Sequence, residues 1–416
     1  MAWRPDHLHC GVTYLPAEVG PWLWHEFDAE RTQRDFARIR GAGFGTVRVP
    51  LAWDAFVPTP RQVNRYRLRD LETLLGVAVA NDLQVVPVLF AQSFGDCVLL
   101  PHYAVARGER RRGVRVISDG IIEPGAPRDI WNDPLMLEVE VMWLEETLRA
   151  FANHPAVLAW DLGHDPATTC RPIRIAHLQA WAATMGDRVR ATQDPCWMTL
   201  GAADVLTARG VRLSAVAPHV DALGMLVHPQ SLRLEGAAPL DPLRVDFVMR
   251  LAQRLAAPEG EPQQPPSLVL VTGIAAEPVT EWPDLVSDPQ HIAEDIAPVA
   301  AADAVRHTGE LLERAGDAGA VAALGASWCD LGPRPMAAAP YDRRPWLGQT
   351  GLAGPTGELK PHGQVWSSVA RRDLDAGQPA PWPPGAFDEA QWYDNLPDAS
   401  NDLFARFRTD FGIAAE

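Results

Sequence analysis

The 416-residue sequence is poor in the features that announce most functional classes. It holds a single lysine, Lys360, and 37 basic against 53 acidic residues, a formal charge of −16. Nucleic acid and anionic membrane surfaces are bound through basic patches, so that balance sets both aside as partners. Cysteine is scarce: Cys10, Cys97, Cys170, Cys196 and Cys329 are scattered and form no CxxC pair, which argues against a disulfide framework or a zinc knuckle. No apolar run approaches the roughly 20 residues of a membrane span. The start, MAWRPDHLHCGVTYLP, lacks the basic stretch and apolar run of a secretory signal. A soluble, cytoplasmic protein is the expectation. His7, His9 and Cys10 do not suggest a metal site, because neighbours on a strand face opposite ways and no partner cluster accompanies them. No cofactor is expected either. GAGFGT (41–46) follows a helical pattern and precedes a strand. A phosphate-cradling loop needs the reverse order, so this is a helix stop.

What is present is an alternation. Short apolar runs at 9–15, 46–51, 83–89, 156–162, 196–201, 221–227, 267–272 and 320–328 read as strands. Between them, helical spacing of apolar residues marks Ala29–Gly41, Leu68–Asn81, Pro134–Phe151, Arg174–Thr192, Leu243–Leu255 and His291–Ala315, with a weaker fifth helix around 203–217. Apolar strands alternating with helices predict a parallel sheet covered by helices, and eight such units predict a (β/α)₈ TIM barrel over residues 1–372. Residues 91–132 form a long loop after the third strand, a lid or cleft wall that carries the basic run RGERRRGVR (107–115). A Pro- and Trp-rich extension, 373–416, is expected to pack on the barrel, with a helix near Asn401–Phe411.

Barrel chemistry sits at the C-terminal ends of strands. Those ends carry Tyr14, Arg48 and Trp53, then Gln92, His164 and Asp165, then His228, Thr272 and Gly273, and finally Trp328 and Asp330. Aromatic faces stack on sugar rings, and Arg, His and Asp hydrogen-bond hydroxyls, so the set suits a carbohydrate or glycoconjugate ligand. The chain resembles the clan A glycoside hydrolases, nearest to the cellulases and β-mannanases of family five with some likeness to family forty-two. The pieces that carry the resemblance are GVTYLP, GAGFGTVRVPLAWDAFVPTP, DLQVVPVLF, the stretch from WNDPLMLEVE to AVLAWDLGHDP, DALGMLVHP, LVLVTG, GASWCDL and GLAGPTGELKP, over about residues 9 to 370.

The resemblance implies a retaining mechanism with two glutamates, an acid/base at the end of strand four and a nucleophile at the end of strand seven. Position by position the first corresponds to Asp165, preceded by His164 in place of an Asn, and the second to Gly273. Arg48, His228 and Trp328 fall where the family has its supporting Arg, His and Trp, and Trp53 joins them as a sugar-binding candidate. The departures lie on the chemistry itself. Asp in place of Glu withdraws the acid by roughly 1 Å, worth ~10²-fold in rate, and a glycine can neither attack nor stabilise an anomeric carbon. Glu277 and Glu281, on the loop beyond strand seven, are candidate substitutes, Glu277 above all. Asp161 shares the face of Asp165 and is a candidate ion-pair partner for Arg48. Three readings stand: a degenerate, non-catalytic barrel that binds a sugar; an active hydrolase pairing Asp165 with Glu277; and a structural subunit with a vestigial cleft. If the cleft still binds sugar, Gly273→Glu is expected to restore some hydrolysis.

Overall fold

A computed structural model describes residues 4–95, 97–108, 114–208, 210–257, 266–279, 296–372, 374–385 and 387–412. Glu281, the middle of the basic run and the start of the seventh predicted helical segment lie outside them.

Eight parallel strands close into a barrel in sequence order: β1 (His9–Thr13), β2 (Thr46–Ala52), β3 (Gln84–Ala91), β4 (Trp160–His164), β5 (Cys196–Gly201), β6 (Ala222–Val227), β7 (Ser267–Thr272) and β8 (Ala320–Gly325). The TIM barrel predicted from the alternation is therefore the fold. Closure is made by β8 beside β1, with His9 opposite Ala322 and Val12 opposite Gly325. Every residue of β2, β5, β7 and β8 is buried, as continuous apolar strands between a filled interior and a helical coat must be. Val86, Ala159, Trp197, Val269, Val271 and Leu324 belong to one compact cluster, while a much larger one unites the strands with the surrounding helices. The coat comprises α1 (Ala29–Gly41), α2 (Arg65–Ala80), α3 (Pro134–Phe151), α4 (Ile175–Arg190), the single turn α5 (Leu213–Val216), α6 (Leu243–Ala256), α7 (Ala301–Asp317) and α8 (Pro361–Ala370). Among the described residues, no helix is long and apolar enough to cross a membrane.

Three departures from the sequence reading have local causes. The strand predicted over 320–328 ends at Gly325. Ala326 then donates its N–H to the Thr272 carbonyl at 2.7 Å, and Ser327–Cys329 pairs outside the barrel with Gly351–Ala353. The fifth helix shrinks to one-turn pieces, and the C-terminal extension covers that ground: Trp392 Nε1 donates to the Val205 carbonyl and the Tyr393 hydroxyl to that of Asp204. The extension's last helix, Asp398–Phe411, packs Phe404 and Phe407 against Phe247, so α6 is buried on all sides. Finally, the segment 91–132 is more than a loop: among its described residues Ser93–Phe94, Cys97–Leu99, Arg115–Ser118 and Ile121–Glu123 form a small sheet, and Arg115 is tied by two hydrogen bonds to Asp342. At least that member of the basic run serves structure.

Candidate functional site

The floor of the barrel mouth is a buried ion pair. Arg48, wholly buried on β2, donates from Nε to Asp161 Oδ2 at 2.9 Å, and its Nη2 lies 2.8 Å from the same oxygen. Asp161 also accepts from the Gly163 and Thr199 backbone N–H groups and from Thr199 Oγ1, at 3.0, 3.0 and 2.6 Å. The partnership expected from strand alternation is thus realised. Arg48 further donates to the Gly163 carbonyl and, through Nη1, to His164 Nδ1 at 3.0 Å.

Above this floor sit two imidazoles. Guanidinium groups only donate, so His164 Nδ1 accepts and its ring proton is on Nε2. Burial, then the Arg48 charge, then His228 hold the His164 pKa well below its ordinary value, which keeps the ring neutral. His228, just after β6, lies with Nδ1 3.1 Å from the Gly273 carbonyl. A carbonyl only accepts, so here the proton is on Nδ1. Burial lowers this pKa too, partly offset by the bond to Gly273. Trp346 stands edge-on to His228, ring centres 5.3 Å apart.

These rings line a cleft of about 520 Å³ at the C-terminal end of the barrel, within the range typical of small-molecule sites. Its walls include Thr13, Ser93, Phe94, Asp165, Tyr341 and Trp346, and Pro397 and Ser400 of the extension reach it as well. Thr13 Oγ1 and Trp346 Nε1 are buried polar atoms that meet no hydrogen-bond partner among the described residues. Such atoms are costly unless something pairs with them.

Asp165 is the single carboxylate among the described lining residues. It adopts left-handed backbone angles (φ 49°, ψ 60°) where β4 turns into the short helix Pro166–Thr169, and its Oδ2 accepts from Thr168 Oγ1 at 2.6 Å. Its carboxylate lies so close over Gly201 that a Cβ there would come within 2.8 Å of Oδ1. Behind it, Asp204 accepts from the backbone N–H of Gly201 and of Val211. Burial, with Asp165 close by, pushes the Asp204 pKa up to about 8. Unfolded aspartate titrates near ~3.9, so the folded state holds a proton that the unfolded chain releases. Stability from this group is complete below about pH 4 and is lost as pH rises towards 8, with a slope of up to about 1.4 kcal/mol per pH unit. Asp204→Asn is expected to flatten urea-unfolding stability across that window; an unchanged slope would remove Asp204 as its source.

Gly273, just past β7, is buried, and a Cβ there would meet Ala326 Cβ at 2.9 Å and Thr350 Cβ at 3.0 Å. A side chain at this position, the one the resemblance aligns with the nucleophile, would meet its neighbours at once. The expectation that Gly273→Glu restores hydrolysis is accordingly revised: overpacking of this kind costs about 1–3 kcal/mol, and the expected result is a lower unfolding midpoint with no gain in aryl glycoside turnover. Glu277 is exposed, donates its backbone N–H to the Val299 carbonyl and does not reach the cleft lining. The proposed Asp165–Glu277 pair is therefore not assembled. Trp53 and Trp328 belong to the core, the first edge-on to Phe90 and Tyr103, the second 1% exposed and edge-on to Phe44. Neither forms a sugar platform. Asp330 is buried against Lys360. Of the predicted set, His164, Asp165 and His228 meet in the cleft, with Arg48 beneath. Sequence reasoning missed Trp346, whose one visible signal was an aromatic in the RRPWLGQ loop beyond the last strand.

No protein-family model matches the sequence, and no curated protein does either. Solved structures do. A variant of a GH5_18 protein from Streptomyces cattleya, in complex with Manβ1-4GlcNAc, superposes with a TM-score of 0.74 at 17% identity over 97% of this chain and 92% of that one. A GH5_18 protein from Bifidobacterium longum subsp. infantis gives 0.69 at 16%, covering 90% and 81%. The exo-β-1,4-mannosidase Op5Man5 from Opitutaceae bacterium strain TAV5 gives 0.66 at 18% over 90% of this chain, which spans 61% of the mannosidase's length. What is shared at these identities is the fold, a glycosidase-type (β/α)₈ barrel.

Proposed function

We propose that this chain is a non-catalytic member of the clan A glycoside hydrolases, family-five-like, whose barrel mouth binds a mannose-containing glycan. One observation carries the reading: an open cleft retains sugar-suited polar groups while Asp165 is the single carboxylate among its described lining residues. The usual retaining and inverting routes of glycoside hydrolysis both use two carboxyl groups flanking the scissile bond. The complexes of the fold neighbours with Manβ1-4GlcNAc and with GlcNAc support the choice of ligand class. A vestigial cleft would be filled by its own loops, whereas among the described residues the segment after β3 contributes only Ser93, Phe94 and Gly95 to the lining.

The test is calorimetric titration of the full chain with Manβ1-4GlcNAc beside an assay of 4-nitrophenyl β-mannoside, β-glucoside and β-galactoside. Binding at micromolar to millimolar Kd, about −8 to −4 kcal/mol, with release of nitrophenol at background is the expected pair of results. Enzyme-dependent release would overturn the non-catalytic reading, and no heat with any sugar would overturn the binding one. Trp346→Phe keeps an aromatic ring beside His228 but removes the unpaired N–H. Stability within about 1 kcal/mol of the parent and sugar affinity reduced about three- to tenfold are expected; unchanged affinity would assign Trp346 to packing alone.

A further inference from the structure

The tautomers of His164 and His228 point to what the cleft selects, an inference that rests on reading the cleft as a sugar site. In His164 the Nδ1 side is committed to Arg48 Nη1 at 3.0 Å, and in His228 to the Gly273 carbonyl at 3.1 Å. The two commitments are opposite in sense: one nitrogen accepts and the other donates. A neutral imidazole carries one proton, so across each ring the remaining nitrogen has the complementary role. His164 turns an Nε2–H donor, and His228 an Nε2 lone pair, away from those wall contacts, and both residues line the cleft.

A carboxylate can accept but not donate, and an ammonium can donate but not accept. A hydroxyl does both. We propose that the His164–His228 pair recognises a hydroxyl, or two neighbouring hydroxyls of one ring, by offering one donor and one acceptor. It thereby discriminates against carboxylates even though Arg233 and Arg344 also line the cleft. Two further wall groups that meet no hydrogen-bond partner among the described residues are uncharged: Trp346 Nε1–H donates and Thr13 Oγ1 does both. The pair is set by Arg48 on one side and by the Gly273 backbone on the other. The position that lost its side chain thus still contributes its carbonyl.

The experiment uses the full chain labelled with ¹⁵N-histidine. Long-range ¹H–¹⁵N spectra at pH 7.5, assigned with His164→Gln and His228→Gln, are expected to show His164 as the Nε2–H and His228 as the Nδ1–H tautomer. Titration with Manβ1-4GlcNAc should move the Nε2 resonance of both rings and leave Nδ1 in place. His228→Phe, which removes the acceptor, should weaken binding about tenfold, while His228→Gln, which can present a carbonyl, should keep most of it. Mannuronate should bind at least about tenfold more weakly than mannose. The same tautomer in both rings, bound sugar with unmoved Nε2 resonances, or mannuronate binding as tightly as mannose would overturn this inference and leave the sugar-site reading standing. Expected tautomers with no sugar bound by calorimetry would overturn both.

Discussion

Arg48→Met is expected to lower the unfolding free energy by about 3–5 kcal/mol, the largest effect of any single change at the mouth of the barrel. Arg48 and Asp161 are both wholly buried, so the substitution leaves a carboxylate in the interior with Thr199 and a backbone N–H for company and no counter-charge. Removing one member of such a pair is severe because the other keeps its full desolvation penalty, whereas replacing both is often nearly neutral. Arg48→Met/Asp161→Asn should therefore recover a substantial part of the loss, the amide still offering an oxygen to the Gly163 or Thr199 N–H. A double-mutant cycle in urea should return a coupling of at least about 1 kcal/mol. A loss below about 1 kcal/mol in Arg48→Met would show that the barrel floor does not depend on this pair. Loss of Arg48 also frees His164 Nδ1, so sugar affinity should fall in any Arg48 variant that still folds.

Lys360→Met is the second large effect, and it should depend on pH. Lys360 Nζ donates to Asp330 Oδ2 at 2.8 Å and to the Gln349 carbonyl at 3.3 Å, and Asp330 Oδ1 accepts the Gly351 N–H at 2.9 Å. These bonds fasten the segment after β8 to the start of α8 and so close the barrel's last unit. Burial already pushes the Asp330 pKa up to about 6 despite the opposing pull of Lys360. Without the ammonium it rises further. A folded pKa above the unfolded ~3.9 makes the folded state the better proton binder, so the contribution is intact at low pH and is lost as pH rises through the folded value. The deficit of Lys360→Met should thus be modest near pH 5 and reach about 3–5 kcal/mol at pH 8, read as the shift in urea midpoint at each pH. Lys360→Met/Asp330→Leu should show neither the deficit nor its pH dependence. Equal deficits at both pH values would mean that lost packing of the lysine stem, rather than the stranded carboxyl, is responsible.

What the sequence by itself determined is the scaffold and the absence of a side chain at Gly273. Periodicity is a local property: TVRVPL, short, apolar, rich in β-branched residues and preceded by a glycine turn, reads as a doubly buried strand, and AERTQRDFARIRG carries its helical stripe without help from distant residues. Gly273 at the end of β7 is equally legible, because no fold can supply a side chain that glycine lacks. Tertiary structure alone decided which strand-end side chains face the cleft. The direction of a side chain at a strand end depends on where the chain leaves the barrel and on what packs behind it. The departure after Gly325 is followed by Trp328 turning into the core, and the left-handed turn at Asp165 lays its carboxylate over Gly201. Trp346, Pro397 and Ser400 come to the cleft from loops and helices up to 75 residues beyond the last barrel strand, a proximity that only closure of the barrel and docking of the extension create. The two histidines were visible as letters; their opposite tautomers exist only because Arg48 and the Gly273 carbonyl arrive on their far sides.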